Sequence, residues 1–290
     1  MPELPEVETI RRGLEKKIVS KTIINIEIIE PKEVQGSPQE AIGQNVLNVW
    51  RKAKMLGIDL SSEKSEKNIT LLFHLKMTGQ LVYVDQDHER IIGGHPTSDM
   101  RGDLPNKSTR VIFEFEDNSK LYFNDQRKFG WVKVIPTNKV GEIPAIRTLG
   151  PEPLEKEFNW EILKINLLKH KSQPVKVALM DQSVVSGIGN IYASEALFDA
   201  RVDPRRKVST LLDEEFKRLV EGIKKSLAVS IEKGGSTRAH FVDTEGKKGY
   251  FLDYANVYGK EGKKCNQCPG KVEKITQAGR GTYFCPACQR

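Results

Sequence analysis

The chain has 290 residues, enough for two domains that each bury a core, and a hydrophobic fraction of 38% with mean hydropathy −0.47 describes a soluble globular protein. No stretch approaches the length of a membrane span, and the opening MPELPEVETIRR lacks the basic and apolar regions of a signal peptide, so a cytoplasmic protein is expected. Lys and Arg number 46 against 39 Asp and Glu, and a net charge of +7 attracts polyanions, although ribosomal, metabolic and nuclease proteins all reach this charge.

The first predicted element is a helix with apolar residues at Val7, Ile10 and Leu14. Met1 is removed by aminopeptidase before a small residue, which leaves Pro2 as a free secondary amine. An α-amino group has a pKa near 8, so on the order of a tenth is unprotonated at pH 7. Such an amine can attack C1′ of a deoxyribose to give an iminium, with Glu3 beside it to move protons. Most termini are frayed tails. Here Pro2, Glu3, Pro5, Glu6 and Glu8 crowd the helix start, which favours a packed one.

Apolar and β-branched runs at 22–30, 69–75, 109–116, 120–124 and 130–135 predict strands. Many short strands after one helix suggest a β-sandwich or a flattened barrel. Lys54, in the run WRKAK, reads as a solvated charge or as a catalytic contact. Two predicted turns carry apolar residues: HLKMTGQL holds Met77, and NDQRKFGW holds Arg127, Lys128 and Phe129. Taken singly, such a Phe tucks back into a core. Two such tips flanked by cations also fit a wedge in a base stack, with Arg on an orphaned base and Lys on phosphate. The polar insert 85–106 is expected to be a surface loop.

Residues 136–153, rich in Pro and Gly, read as a linker. Helical patterns follow, the last with apolar residues at Leu212, Phe216, Leu219, Ile223, Leu227 and Ile231. Between two of them Gly187-x-Gly189-Asn190 offers Asn190 as an N-cap, either at an anion site or at an ordinary helical corner. All four cysteines lie near the end, as Cys265-x2-Cys268 and Cys285-x2-Cys288, the spacing of a closed four-thiolate structural zinc site. The segment between them has the length of a β-hairpin, with Arg280 at its tip as a solvated cation or a phosphate contact.

Together these features resemble the formamidopyrimidine-DNA glycosylase family over essentially the whole chain. The motifs are PELPEVET after Met1, RKAK (51–54), HLKMTG (74–79), DQRKFG (125–130), LGPEPL (149–154), LMDQSVVSGIGNIYASEALF (179–198), GGST (234–237), VYG (257–259) and GRGTYFCPACQ (279–289). The resemblance implies an α+β fold of two domains: an N-terminal β-sandwich opened by a catalytic helix (1–135), a linker (136–153), a helix–two-turn–helix domain (154–233), a lesion-capping region (234–256) and a zinc finger (257–290). It implies a monomer that flips oxidised purines out of duplex DNA and cuts the strand by β- and δ-elimination, with one structural zinc. By position, Pro2 would be the nucleophile and Glu3 the proton donor, while Lys54 and Arg280 would serve the eliminations at phosphate. Met77, Arg127 and Phe129 would fill the gap, and His74, Arg110, Lys128, Asn190 and Ser236 would contact DNA. The chain departs from the pattern at Gln126, where Pro is common, at Lys128, where a second Arg often stands, and at 106–110, where relatives carry His-x-His. Two rival readings are an endonuclease VIII-like enzyme for oxidised pyrimidines and a non-catalytic zinc-finger protein that binds damage.

Overall fold

The computed structural model describes residues 1–62, 65–94, 102–235 and 251–290, with backbone alone at 62 and 65–67. Ser236 lies outside the described residues. The chain divides into two compact units, one of Met1–Arg147 with the stretch beginning at Lys233, the other of Thr148–Glu232 with Phe251–Arg290.

The first unit opens with α1 (Leu4–Ile18) and continues through β1 (Ile23–Ile28), β2 (Val34–Gln35), β3 (Asn45–Lys52), β4 (Met55–Ser62), β5 (Ser65–His74), β6 (Gly79–Val84), β7 (Arg90–Gly94), β8 (Thr109–Phe115), β9 (Lys120–Asp125) and β10 (Trp131–Pro136). Two five-stranded sheets form, in the orders β1-β8-β9-β6-β7 and β2-β10-β5-β4-β3. Among the described residues every pairing in them is antiparallel except that of β2 with β10. Phe73 of one sheet meets Phe113 and Phe123 of the other edge-on, at ring-centroid distances of 5.8 and 5.9 Å. The apolar face of α1 (Val7, Ile10, Leu14, Ile18) joins this core. The helix lies on β7 because Gly93 has no side chain: a Cβ there would stand 1.9 Å from Ile10 Cγ1.

That packing corrects the reading of 85–106 as a loop, since RIIGG forms an edge strand of a sheet. A five-residue strand flanked by charges has little sequence signal of its own, and the cover of α1 makes its burial favourable. The predicted linker also holds structure, with a 3-10 turn at Thr137–Glu142 and a short helix, α2 (Pro144–Arg147).

The second unit contains α3 (Trp160–Leu168), α4 (Val175–Leu179), α5 (Asn190–Asp199), α6 (Asp213–Glu232), α7 (Phe251–Tyr254) and the hairpin β11 (Glu273–Gln277) and β12 (Arg280–Phe284). Phe216, Leu219, Ile223 and Leu227 form the buried stripe of α6, but Leu212 precedes the helix and is exposed. Gly222 lets α6 approach α5, where a Cβ would come within 2.7 Å of the Ala196 carbonyl oxygen.

Candidate active site and nucleic-acid interface

The N-terminal turn of α1 is ordered by its own acids. Glu3 is the N-cap residue, and its amide donates to the Glu6 carboxylate at 2.8 Å, satisfying a donor that the helix leaves open. Pro2, Glu3 and Glu6 are buried and Met1 is exposed, so this terminus is packed against the protein. One turn on, the Glu8 carboxylate accepts from Arg11, Arg12 and Arg51. Burial pushes its pKa up, but the hydrogen bonds from Arg11 and Arg12 and the nearby positive charges outweigh burial and hold it below the ordinary value.

Arg51 carries this anchor into the β3–β4 hairpin. Its Nη1 donates to the Ala53 carbonyl at 3.1 Å, and Ala53 takes a left-handed conformation that turns the chain at Lys54, which is buried. Met55, the next residue, pairs with His74 across the sheet, and His74 pairs on its other side with Trp131. One end of this sheet therefore gathers the Lys54 hairpin, the end of β5 and the start of β10. His74 Nδ1 accepts from the Lys76 amide at 3.0 Å, which leaves the ring proton on Nε2. Burial and the charges of Lys76 and Lys54 push its pKa down to about 3, so His74 is a neutral N–H donor.

Both predicted tips lie at this same end. The Leu75–Gly79 turn is closed by a 2.8 Å hydrogen bond, and a Cβ on Gly79 would stand 2.3 Å from the Leu75 carbonyl oxygen. Gly79 pairs with Asp125, which brings the Met77 turn beside the 126–129 loop. Asp125 is fully buried and organises that loop. Its Oδ1 accepts from Thr78 and from the Arg127 amide, and its Oδ2 accepts from the Phe129 and Gly130 amides at 2.8 and 2.6 Å. Lys128 takes φ +57° and Phe129 is 54% exposed, with the Arg127 guanidinium 4.9 Å from its ring centroid. An apolar ring held out in solvent and stacked by a cation can enter a base stack.

Arg110 has other partners. It is buried, its Nε donates to the Asp125 carbonyl at 2.8 Å and lies 3.2 Å from Glu33, and its Nη1 donates to Lys107 and Thr109 carbonyls. A guanidinium so engaged supports the loop from beneath.

In the second unit, Asn190 is the first residue of α5 and Gly189 is the N-cap, contrary to the predicted cap. The Asn190 side chain is committed across the unit: its Oδ1 accepts from Lys176 at 2.5 Å and its Nδ2 donates to the Gly281 carbonyl at 2.9 Å. Lys176 is fully buried and also donates to Thr282 at 2.8 Å. One ammonium thus ties Asn190 to the strand that begins with Arg280. The two-residue turn Ala278-Gly279, with both φ values positive, leaves Arg280 exposed at the start of β12.

The four cysteine sulfurs lie within 4.8 Å of one another, with Cys265–Cys288 at 3.8 Å and Cys268–Cys285 at 3.5 Å. A tetrahedral zinc with bonds of about 2.3 Å separates its sulfurs by about 3.8 Å, so the four thiols fit one such ion. Amides of Gln267 and Gly270 point at Cys265 and Cys268 and stabilise thiolate. Glu195 of α5 binds the amides of Asn256, Val257 and Tyr258 and so joins the finger to the helices.

Asp125, Lys176 and Glu195 were not singled out from sequence. Asp125 has one local signal, an Asp at the head of a turn; Lys176 and Glu195 take their roles from partners far along the chain.

Residues 1–132 match the formamidopyrimidine-DNA glycosylase N-terminal domain, 149–241 the formamidopyrimidine-DNA glycosylase H2TH domain, and 262–290 the zinc finger found in FPG and IleRS. The chain is similar to the formamidopyrimidine-DNA glycosylase of Pelotomaculum thermopropionicum, 38% identical with 100% of this chain and 99% of the relative covered. The corresponding Listeria monocytogenes serotype 4b protein is 37% identical over all of both chains. Two solved structures, each 33% identical and matched over the full length of both chains, are a Lactococcus lactis FPG mutant with Fapy-dG containing DNA (TM-score 0.85) and MutM with carbocyclic 8-oxo-G containing DNA (TM-score 0.83). Full-length similarity at this level, in all three matched regions, means that the chain belongs to the formamidopyrimidine-DNA glycosylase family.

Proposed function

We propose that the chain excises oxidised purines, 8-oxoguanine and formamidopyrimidines, from duplex DNA through a Pro2 iminium and then cleaves the strand. Freed of Met1, the Pro2 nitrogen attacks C1′ and the bond from C1′ to the base breaks, with Glu3 moving the proton that opens the sugar ring. Loss of a C2′ proton expels the 3′ phosphate, and a second elimination expels the 5′ phosphate. Lys54 and Arg280 serve these steps at the phosphates, with His74, Lys128 and Asn190 as further DNA contacts. Met77 and Phe129 fill the gap left by the flipped nucleotide, and Arg127 faces the opposite base. One zinc on Cys265, Cys268, Cys285 and Cys288 holds the finger and takes no part in the chemistry. The work would be done in the cytoplasm, at the nucleoid.

The observation that carries this reading is the ordered α1 terminus, tied through Glu8 and Arg51 to the Lys54 hairpin at the end of the sheet that also holds His74. Borohydride trapping on abasic duplex tests it. The processed protein is expected to form a covalent adduct on the Pro2 nitrogen, which a retained Met1 abolishes by placing that nitrogen in a peptide bond and which Pro2→Gly, still a free amine, weakens. Binding without any adduct supports the non-catalytic reading. Cleavage of thymine glycol in preference to 8-oxoguanine moves the chain to the pyrimidine branch.

A further inference from the structure

The turn before β2 has no part in the chemistry above, yet it lies against the loop that carries Arg127 and Phe129. β2 and β10 are parallel, with Val34 opposite Val132. Glu30 and Lys128 each stand four residues before that pair, Glu30 ahead of a 3-10 turn (Pro31–Glu33) that leads into β2 and Lys128 in the loop that leads into β10. The placement is fixed at the backbone. The Ile29 and Glu30 amides both donate to the Arg110 carbonyl, and a Cβ on Gly36 would stand 2.5 Å from the Val134 carbonyl oxygen, which keeps β2 close to β10.

In this setting the Lys128 ammonium is ion-paired with the Glu30 carboxylate. The Glu30 pKa lies below its ordinary value, chiefly because of this hydrogen bond. Beneath the loop Arg110 lies 3.2 Å from Glu33 and donates to the Asp125 carbonyl at the loop's base. Of the two cations in the loop, Lys128 is therefore matched by a carboxylate, while Arg127 stacks on Phe129.

We propose that Glu30 is a specificity-determining residue, which holds Lys128 off the phosphates of undamaged duplex and yields it to phosphate only where Arg127 and Phe129 have entered at a lesion. The proposal rests on the DNA-binding function given above. A cation that grips the phosphates of any duplex strengthens non-specific binding without adding discrimination. Matching Lys128 within the protein lowers that background while leaving the base-reading groups in place. An exposed ion pair contributes little to stability, so its effect should appear in binding.

The test is equilibrium binding of the zinc-loaded full chain to an undamaged duplex across a series of salt concentrations. Glu30→Gln should steepen the dependence of log K on log salt by about 0.9, the value for one more neutralised phosphate, which is about 3.5-fold more affinity lost between 50 and 200 mM salt. Lys128→Gln should leave the wild-type slope unchanged, and in the Glu30→Gln background it should restore that slope. The preference for damaged over undamaged duplex should fall about threefold in Glu30→Gln. The proposal is overturned if Glu30→Gln leaves the slope unaltered, or if the double variant stays steep, because the effect is then the general field. It is equally overturned if Lys128→Gln flattens the wild-type slope as much as it flattens that of Glu30→Gln. Borohydride trapping on the same preparations separates the two ideas: loss of the adduct in wild type removes the proposed chemistry, whereas the salt series reads the latch alone.

Discussion

Glu33 shows how a single buried group can record its surroundings. It is 2% exposed, and neither carboxylate oxygen has a hydrogen bond among the described residues. Burial, then the like charge of Asp125, raises its pKa from 4.5 to about 8, and Arg110 only partly offsets them. Below pH 4.5 folded and unfolded chains are both protonated, so the site carries no penalty. Between 4.5 and 8 the unfolded chain ionises while the folded one keeps its proton, and stability falls as pH rises. Above 8 the penalty is constant. Glu33→Gln, neutral throughout, should therefore gain melting temperature over wild type progressively from pH 4.5 to 8 and then level off. A gap independent of pH would contradict the assignment. The same reasoning keeps His74 neutral, so its Nε2–H can donate to phosphate without adding charge.

At the scale of elements, the position of the α1 terminus depends on how the helix lies on β7. Gly93 is the contact that allows it, and Gly93→Ala must push Ile10 and the helix away. Overpacking of this kind costs about 1–3 kcal/mol. The variant should melt at lower temperature and form its borohydride adduct more slowly, since the displaced helix carries Pro2. Gly141→Ala is the control, because a Cβ there meets nothing within 4 Å. Equal losses in both variants would mean that the Gly93 contact does not set the helix. The 126–129 loop follows the same logic, as Asp125 spends both oxygens on its amides and the Phe129 ring stands exposed.

For the whole molecule, each unit has its own core and its own fasteners. The finger is held by the four thiols, by Glu195 and by the bonds of Lys176 to Asn190 and Thr282. Zinc is expected at one equivalent per chain in a colorimetric chelator assay. Its removal should abolish DNA binding while far-UV circular dichroism retains the β-sandwich signal, because the metal lies in the other unit. Full DNA affinity after verified metal loss would show that the finger makes no contribution.

What neighbouring residues encode among themselves can be read from the chain alone. Apolar and β-branched runs set β8 and β9, helical spacing set α1 and α6, and the paired C-x2-C units set the metal site, since each pattern lies within one or two neighbouring elements. The roles proposed for Pro2, Glu3, Lys54, His74 and Arg127 come from short contiguous motifs shared with the family, and the fold gathers Lys54, His74 and the Arg127 loop at one end of the first unit. Tertiary structure decided the rest. RIIGG became a strand only under α1, Arg110 became a buried brace only beside Glu33 and Asp125, and the Asn190 side chain is held by Lys176 and Gly281, both distant along the chain. Burial and partners distant along the chain change what a polar side chain does, and no local pattern records either.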